Sequence, residues 1–217
     1  MSTGDDSGEL ARRVAHAIRT PMGVVGGVLD QLRDGNANID RTRLLELADR
    51  GLAQIGRLAD RLGMLGAIER GLEARKQPTE LRALVETAIA DIARSRRRRG
   101  IEVVLAPGLD ASVSCDAAIV RAAIAELVDN AVRFAKASVT VEVDAAAGKV
   151  TVGNDGPAID PAVLVALAGT RTTPADRAGL GIGLWIAGRI LATHGGSIDH
   201  SRAGDVTSFC VSLDAAA

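Results

Sequence analysis

Aromatic side chains are almost missing from this 217-residue chain: Trp185, Phe134 and Phe209 stand alone, and there is no tyrosine. Base stacking on aromatic platforms is thereby excluded as an activity, and any core must be aliphatic. Cysteine is equally scarce. Cys115 and Cys210 lie far apart in apolar stretches, a setting for small buried hydrophobes, and nothing suggests an oxidising compartment. No stretch approaches the roughly eighteen consecutive apolar residues of a membrane span. The start Met1-Ser-Thr-Gly-Asp-Asp also lacks the basic-then-apolar form of a signal peptide, so a cytosolic location is expected. Charge of either sign is not in excess. With 26 basic and 27 acidic residues the formal net charge is −1, which gives no field to attract nucleic acid or anionic lipid. The run Arg96 to Arg99 does not change this, because cations at a helix C-terminus are favoured by the macrodipole and are normally solvated.

What is present is a hydrophobic fraction of 47%, enough for packed cores in one large or two small domains. Leu10, Val14, Ile18, Met22, Val25, Leu29 and Leu32 recur at spacings of four or three and predict one stripe of an α-helix. His16 falls off that stripe and should meet solvent. Asp34-Gly35-Asn36-Ala37-Asn38 is turn chemistry. A second helix then follows on Leu44, Ala48, Leu52, Ile55, Leu58, Leu62 and Leu65. Two helices alone cannot cover both apolar stripes, so a second copy is needed to close a four-helix bundle, and a homodimer is predicted.

Residues 1–70 are therefore read as a helical hairpin, 71–78 as a linker and 79–217 as a second domain. In that domain Leu81, Leu84, Val85, Ala88, Ile89 and Ile92 mark a helix, Ile101 to Leu105 and Val113 to Cys115 mark strands, and a helix spans about Asp116 to Ala135. Val139 to Val143 and Val150 to Val152 flank Ala145 to Gly148 as a hairpin. A short helix at Pro161 to Ala168, a loop at Thr170 to Ala178, a helix at Gly183 to Thr193 and strands at Ser197 to His200 and Thr207 to Leu213 complete the pattern. The fold class is α+β, one sheet under one helical layer.

Three segments carry chemistry. Glu126 and Asn130, four apart, share a helix face, where an amide carbonyl can hold Mg²⁺ together with phosphate oxygens and waters, and Arg133 on the next turn can approach phosphate. In Gly153-Asn154-Asp155-Gly156 the glycine at 156 permits a turn that a side chain would block, and Asn154 offers an amide to an adenine amino group. Gly179, Gly181 and Gly183 lead into the helix that begins Leu184-Trp185, so backbone can wrap phosphates at its positive end. This string lacks the Gly-Lys-Ser/Thr of a P-loop, and Leu184 stands where a dinucleotide fingerprint needs glycine or alanine.

Taken in order, these segments resemble the transmitter core of a two-component sensor histidine kinase. His16-Ala17-Ile18-Arg19-Thr20-Pro21 is similar to that family's phosphoacceptor box, Glu126 to Phe134 to its N box, Asn154 to Ile159, with Asp155, to its first glycine box, and Gly179 to Leu184 to its second. Thr193-His194-Gly195-Gly196 resembles the usual continuation, in which paired glycines end a helix. The resemblance implies a dimerisation and histidine-phosphotransfer hairpin followed by an α/β sandwich ATP-binding domain of the Bergerat type. It implies ATP and Mg²⁺ as cofactors, His16 as nucleophile, Asn130 on the metal, Asn154 facing adenine, and Gly156, Gly179, Gly181 and Gly183 shaping the pocket and its lid. Thr20 would position water for dephosphorylating the partner, a response-regulator receiver domain. Pro21 should bend the helix beside the site. Only fifteen residues precede His16, which leaves no room for a sensory domain, so input would come from a separate sensory protein or a longer parent chain.

The chain departs from the family pattern at several positions. Ala17 replaces the acidic residue that takes the imidazole proton, help worth on the order of 10²–10⁴-fold. An alternative follows, a phosphotransfer or phosphatase scaffold with degenerate kinase activity. Asn154 replaces an aspartate and Ala158 a glycine, which weakens the adenine contact by loss of charge assistance. Glu126 stands where related ATPases place a water-activating glutamate, so slow ATP hydrolysis is a further reading. No phenylalanine lies between Gly156 and Gly179, so the family's F box is missing.

Overall fold

The computed structural model describes residues 3–34, 40–95, 100–159 and 182–213. Several expectations therefore lie outside the described residues: the turn at 35–38, the arginine run at 96–99, the short helix at 161–168, the loop at 170–178, and Gly179 and Gly181. The described residues divide into two compact units, with the division in the chain between Leu65 and Gly66.

The first unit is helical. Helix α1 runs Thr3–Arg33 and α2 runs Arg41–Glu69, the latter opened by Asp40, whose carboxylate accepts from the Arg43 N–H at 3.1 Å. Pro21 lies within α1. Among the residues whose burial is described, those removed from water within one copy are Pro21 and Val28 on α1 and Leu44, Gly51, Leu58 and Leu65 on α2, at intervals of seven. Met22, Leu29 and Leu52, expected on the apolar stripes, are exposed, Leu52 at 55%. Each lies one residue beyond a buried position, so the stripe is wider than the seam that two helices can cover. The helices touch closely at Gly51, where an added Cβ would lie 2.8 Å from Val25 Cγ2 and 3.1 Å from the Pro21 carbonyl.

The second unit is mixed helix and sheet. Its elements are β1 (Gln77–Glu80), α3 (Leu81–Ser95), β2 (Glu102–Leu105), β3 (Ser112–Cys115), α4 (Ala117–Phe134), β4 (Ser138–Asp144), β5 (Lys149–Asn154), α5 (Gly183–Thr193), β6 (Ser197–Ala203) and β7 (Val206–Ser212). The five-stranded sheet has the order β2-β4-β5-β7-β6, with β2 and β4 parallel and the other pairs antiparallel. Helix α4 packs between α3 and α5 and lies on β4 and β5. The core is aliphatic: Leu81, Val113, Ile124, Leu127, Ile186 and Leu191 have no contact with water, or nearly none.

One sheet was expected, and a second, two-stranded ladder is also present. β1 pairs antiparallel with β3, from Gln77 opposite Cys115 to Glu80 opposite Ser112. The sequence Gln-Pro-Thr-Glu is mostly exposed and has no apolar alternation, so it reads as linker until its partner is placed beside it. Cys115 on β3 is buried, and burial pushes its thiol up, as expected of an inert packing residue.

Helix propensity and close packing oppose one another at the glycines of the hairpin, which gives a paired test. Gly27 is exposed with nothing within 4 Å of an added Cβ, so Gly27→Ala should stabilise the hairpin by up to about 1 kcal/mol. At Gly51 the same methyl meets a stiff β-branched side chain and backbone, so Gly51→Ala should lose that gain or reverse it. Thermal unfolding followed by circular dichroism compares the two.

Candidate functional site

In the helical unit His16 and Thr20 are both exposed, one turn apart on α1. Pro21, next in sequence, is buried in the seam with α2, so the same turn that anchors the helix presents the histidine to solvent. Ala17 is half-buried and has no group to accept a proton.

In the second unit α4 carries three of the residues singled out from the sequence, Glu126, Asn130 and Arg133. Asp116, in extended conformation, caps its start by accepting from the Ile119 N–H at 3.4 Å. Val120, Ala123, Ile124, Leu127, Val128 and Ala131 form its buried side. Glu126, Asn130 and Arg133 follow one another at spacings of four and three along a half-exposed side. The Arg133 guanidinium stacks over the Phe134 ring at 5.0 Å, which holds it at the end of the helix.

The end of β5 meets the end of α4 through a glycine. Asn154 is buried, at 6% exposure, and is the last residue of the strand. Gly156 lies so close to α4 that an added Cβ would collide with the Phe134 carbonyl and the Asn154 amide. Any side chain at 156 would therefore push the amide of Asn154 and the helix apart. Asp155, by contrast, has a backbone task. Its carboxylate accepts from the N–H groups of Lys136 at 2.8 Å, Ala137 at 3.0 Å and Ser138 at 3.1 Å, which fixes the turn from α4 into β4. Loss of water around the carboxyl would raise its pKa, but these backbone donors outweigh that and hold it below the usual carboxylate range.

Arg202 and Thr207 were not singled out from the sequence. Thr207 is buried and is the register partner of Asn154 across β5 and β7. Its Oγ1 accepts from Arg202 Nη1 at 2.6 Å and donates to the Pro157 carbonyl at 3.3 Å, while Arg202 Nη1 also donates to the Gly156 carbonyl at 3.3 Å. The two side chains thus strap the 156–157 turn to the sheet. The available signal was a polar residue on the same alternation as buried Phe209 and Val211. Of the glycine string, Gly183 and Leu184 are described, both half-buried in the first turn of α5. The N-cap residue of this helix, Ile182, makes no side-chain cap hydrogen bond.

A pH dependence follows from Asp155. With its folded-state pKa below the unfolded value, the carboxylate stabilises the fold above about pH 4, and that contribution is lost as pH falls further. Acid unfolding should therefore be steeper in the wild type than in Asp155→Asn, and Asp155→Ala should lower the melting temperature at pH 7. Equal acid titrations of wild type and Asp155→Asn would contradict this role.

The family model described as histidine kinase-, DNA gyrase B-, and HSP90-like ATPase matches residues 115–217. The sensor protein QseC of Salmonella typhi is 26% identical over 198 residues, which is 88% of this chain and 44% of that protein. The adaptive-response sensory kinase SasA of Prochlorococcus marinus is 26% identical over 199 residues, 87% of this chain and 52% of that protein. The chain thus spans about half the length of the curated relatives it matches. Among solved structures, the histidine kinase AdeS of Acinetobacter baumannii shares the fold with a TM-score of 0.62 at 20% identity, covering 92% of this chain and 97% of that one. Full-length ShkA in complex with AMPPNP aligns with a TM-score of 0.60 at 20% identity, covering 96% of this chain and 46% of that one. Residues 115–217 therefore form a domain of the histidine kinase-, DNA gyrase B-, and HSP90-like ATPase family, carried in a chain homologous to the sensor histidine kinases.

Proposed function

We propose that the chain is a histidine kinase that takes the γ-phosphoryl group of ATP onto His16 and passes it to an aspartate of a response-regulator receiver domain. The observation that carries this reading is the exposure of His16 on a helix ahead of a domain of an ATP-binding family. A ring nitrogen of His16 attacks the γ-phosphorus. The N–P bond forms as the bond to the β,γ-bridging oxygen breaks, ADP leaves with the electron pair, and the imidazole proton passes to solvent because Ala17 offers no base. An aspartate oxygen of the receiver then displaces the ring nitrogen to give an acyl phosphate, and the histidine is reprotonated. Thr20, exposed one turn away, is assigned to orienting water when the regulator is dephosphorylated.

The residues of the second unit fit the substrate's chemistry. Buried Asn154 presents an amide suited to the adenine edge, Arg133 and the uncapped start of α5 at Gly183 suit phosphate, and Gly156 keeps the wall clear. Among the described residues no cluster of three His, Cys, Asp or Glu side chains could enclose a metal. A Mg²⁺ held by Asn130 would therefore share phosphate oxygens and water, as this ion prefers, and would neutralise charge on the transferring group. Gly179 and Gly181 are assigned to the same pocket on the family resemblance alone.

The dimer is part of the same reading. Met22 and Leu29 on α1 and Leu45 and Leu52 on α2 are exposed apolar columns, each one residue beyond the seam within the hairpin. A second copy would cover both and close a four-helix bundle. No described helix is long and apolar enough to cross a membrane.

Labelling with ATP carrying a radioactive γ-phosphate tests the kinase. An acid-labile, base-stable label should appear on the wild type and vanish in His16→Gln; no label on the folded wild type would defeat the reading in favour of a scaffold with lapsed activity. Ala17→Glu should raise the initial labelling rate by ten-fold or more, on the order of what a general base contributes. Sedimentation should give a dimer for the wild type and a monomer for the Leu45→Glu, Leu52→Glu double variant.

A further inference from the structure

His194 is fully buried, in the turn that ends α5, and its two ring nitrogens have different partners. Nε2 accepts from the backbone N–H of Asp116 at 3.1 Å, which requires a bare nitrogen there. The proton therefore sits on Nδ1, 2.8 Å from the Ile190 carbonyl, which accepts it. Asp116 is itself a branch point. One carboxylate oxygen accepts from Ile119 N–H and so caps α4; the other accepts from the backbone N–H of Arg75 at 3.1 Å, forty-one residues earlier in the chain. Arg75 lies in the segment just before β1, and β1 pairs with β3, whose last residue Cys115 immediately precedes Asp116.

Four segments thus converge on two hydrogen-bonded residues: the stretch after α2, strand β3, the start of α4 and the end of α5. We infer that Asp116 and His194 are positioning residues that form a joint, through which displacement of the backbone at Arg75 is transmitted to α4 and α5. The relevance to phosphoryl transfer rests on the nucleotide reading of α4 and α5 given above. Helix α4 carries Glu126, Asn130 and Arg133, and α5 begins at Gly183. A rigid helix moves as one body, so a change at its capped or terminal end is felt at its other end. The coupling is reciprocal: whatever orders α5 at Gly183 should also order Arg75.

Two measurements need no variant. Nitrogen-15 NMR of His194 should show a neutral ring protonated on Nδ1; a ring protonated on Nε2, or on both nitrogens, would overturn the joint. Addition of Mg·AMPPNP should slow hydrogen–deuterium exchange at the Arg75 amide, and an Arg75 amide indifferent to nucleotide that demonstrably binds would likewise overturn it. In the nucleotide-free protein, His194→Leu should speed exchange at Arg75 and Ile119, which His194 does not hydrogen-bond, by about ten-fold, the scale of one lost buried hydrogen bond. His194→Gln, whose amide oxygen can accept from Asp116 N–H, should restore slow exchange. Wild-type exchange at Arg75 in His194→Leu would sink the proposal. Failure of the wild type to bind AMPPNP would defeat the nucleotide reading, leaving the joint to be judged on the ligand-free comparison.

Discussion

The seating of helix α4 is the constraint on which the second unit depends. The same eighteen residues fill the core with Val120, Ile124, Leu127 and Val128 and carry Glu126, Asn130 and Arg133 on the opposite side. A helix buried on one side cannot rotate to re-aim the other without opening its core. Its two ends are pinned by different means: the Asp116 carboxylate holds its start, and the close approach of Gly156 to Phe134 sets its finish. Asp155, through three backbone donors, then fixes how the chain leaves the helix for β4.

The scarcity of aromatics shapes how these elements meet. Aliphatic side chains fill space in small increments, so the core is assembled mainly from Val, Ile, Leu and Ala side chains, with Phe209 buried among them. Tight joints are made where a side chain is absent. Gly51 lets α1 and α2 approach at Pro21, and Gly156 lets β5 close on α4. In both places a methyl group would meet backbone, so what the glycines contribute is space. Among the described residues, polar groups removed from water are few: His194 joins two backbone groups and Thr207 joins Arg202 and Pro157, whereas the buried Nε2 of His200 has no hydrogen-bond partner.

Much of this was legible beforehand. The β4–β5 hairpin, the strands expected at 101–105 and 113–115 and found at 102–105 and 112–115, and the helix from Gly183 to Thr193 follow from alternation, turn residues and the 3.6-residue period. The exposure of His16 followed from its being off the apolar stripe. The period placed Met22 and Leu29 on the stripe of one helix and Leu52 on that of the other, and, as expected of two helices alone, the hairpin leaves part of each stripe exposed. Strand β1 was unreadable because its four residues carry no apolar pattern and owe their conformation to β3.

By itself, then, the sequence determined most of the described elements, their order and the solvent-facing histidine, because each depends on neighbours within a turn or two. Only the tertiary structure decided that Asp155 serves the backbone, that Thr207 lies beside Asn154, and that Asp116 bridges Arg75 and His194. These pairings join residues up to 78 positions apart. No local period encodes such a distance: a hydrogen bond between remote segments exists only after the sheet order and the helix packing have brought its two ends together.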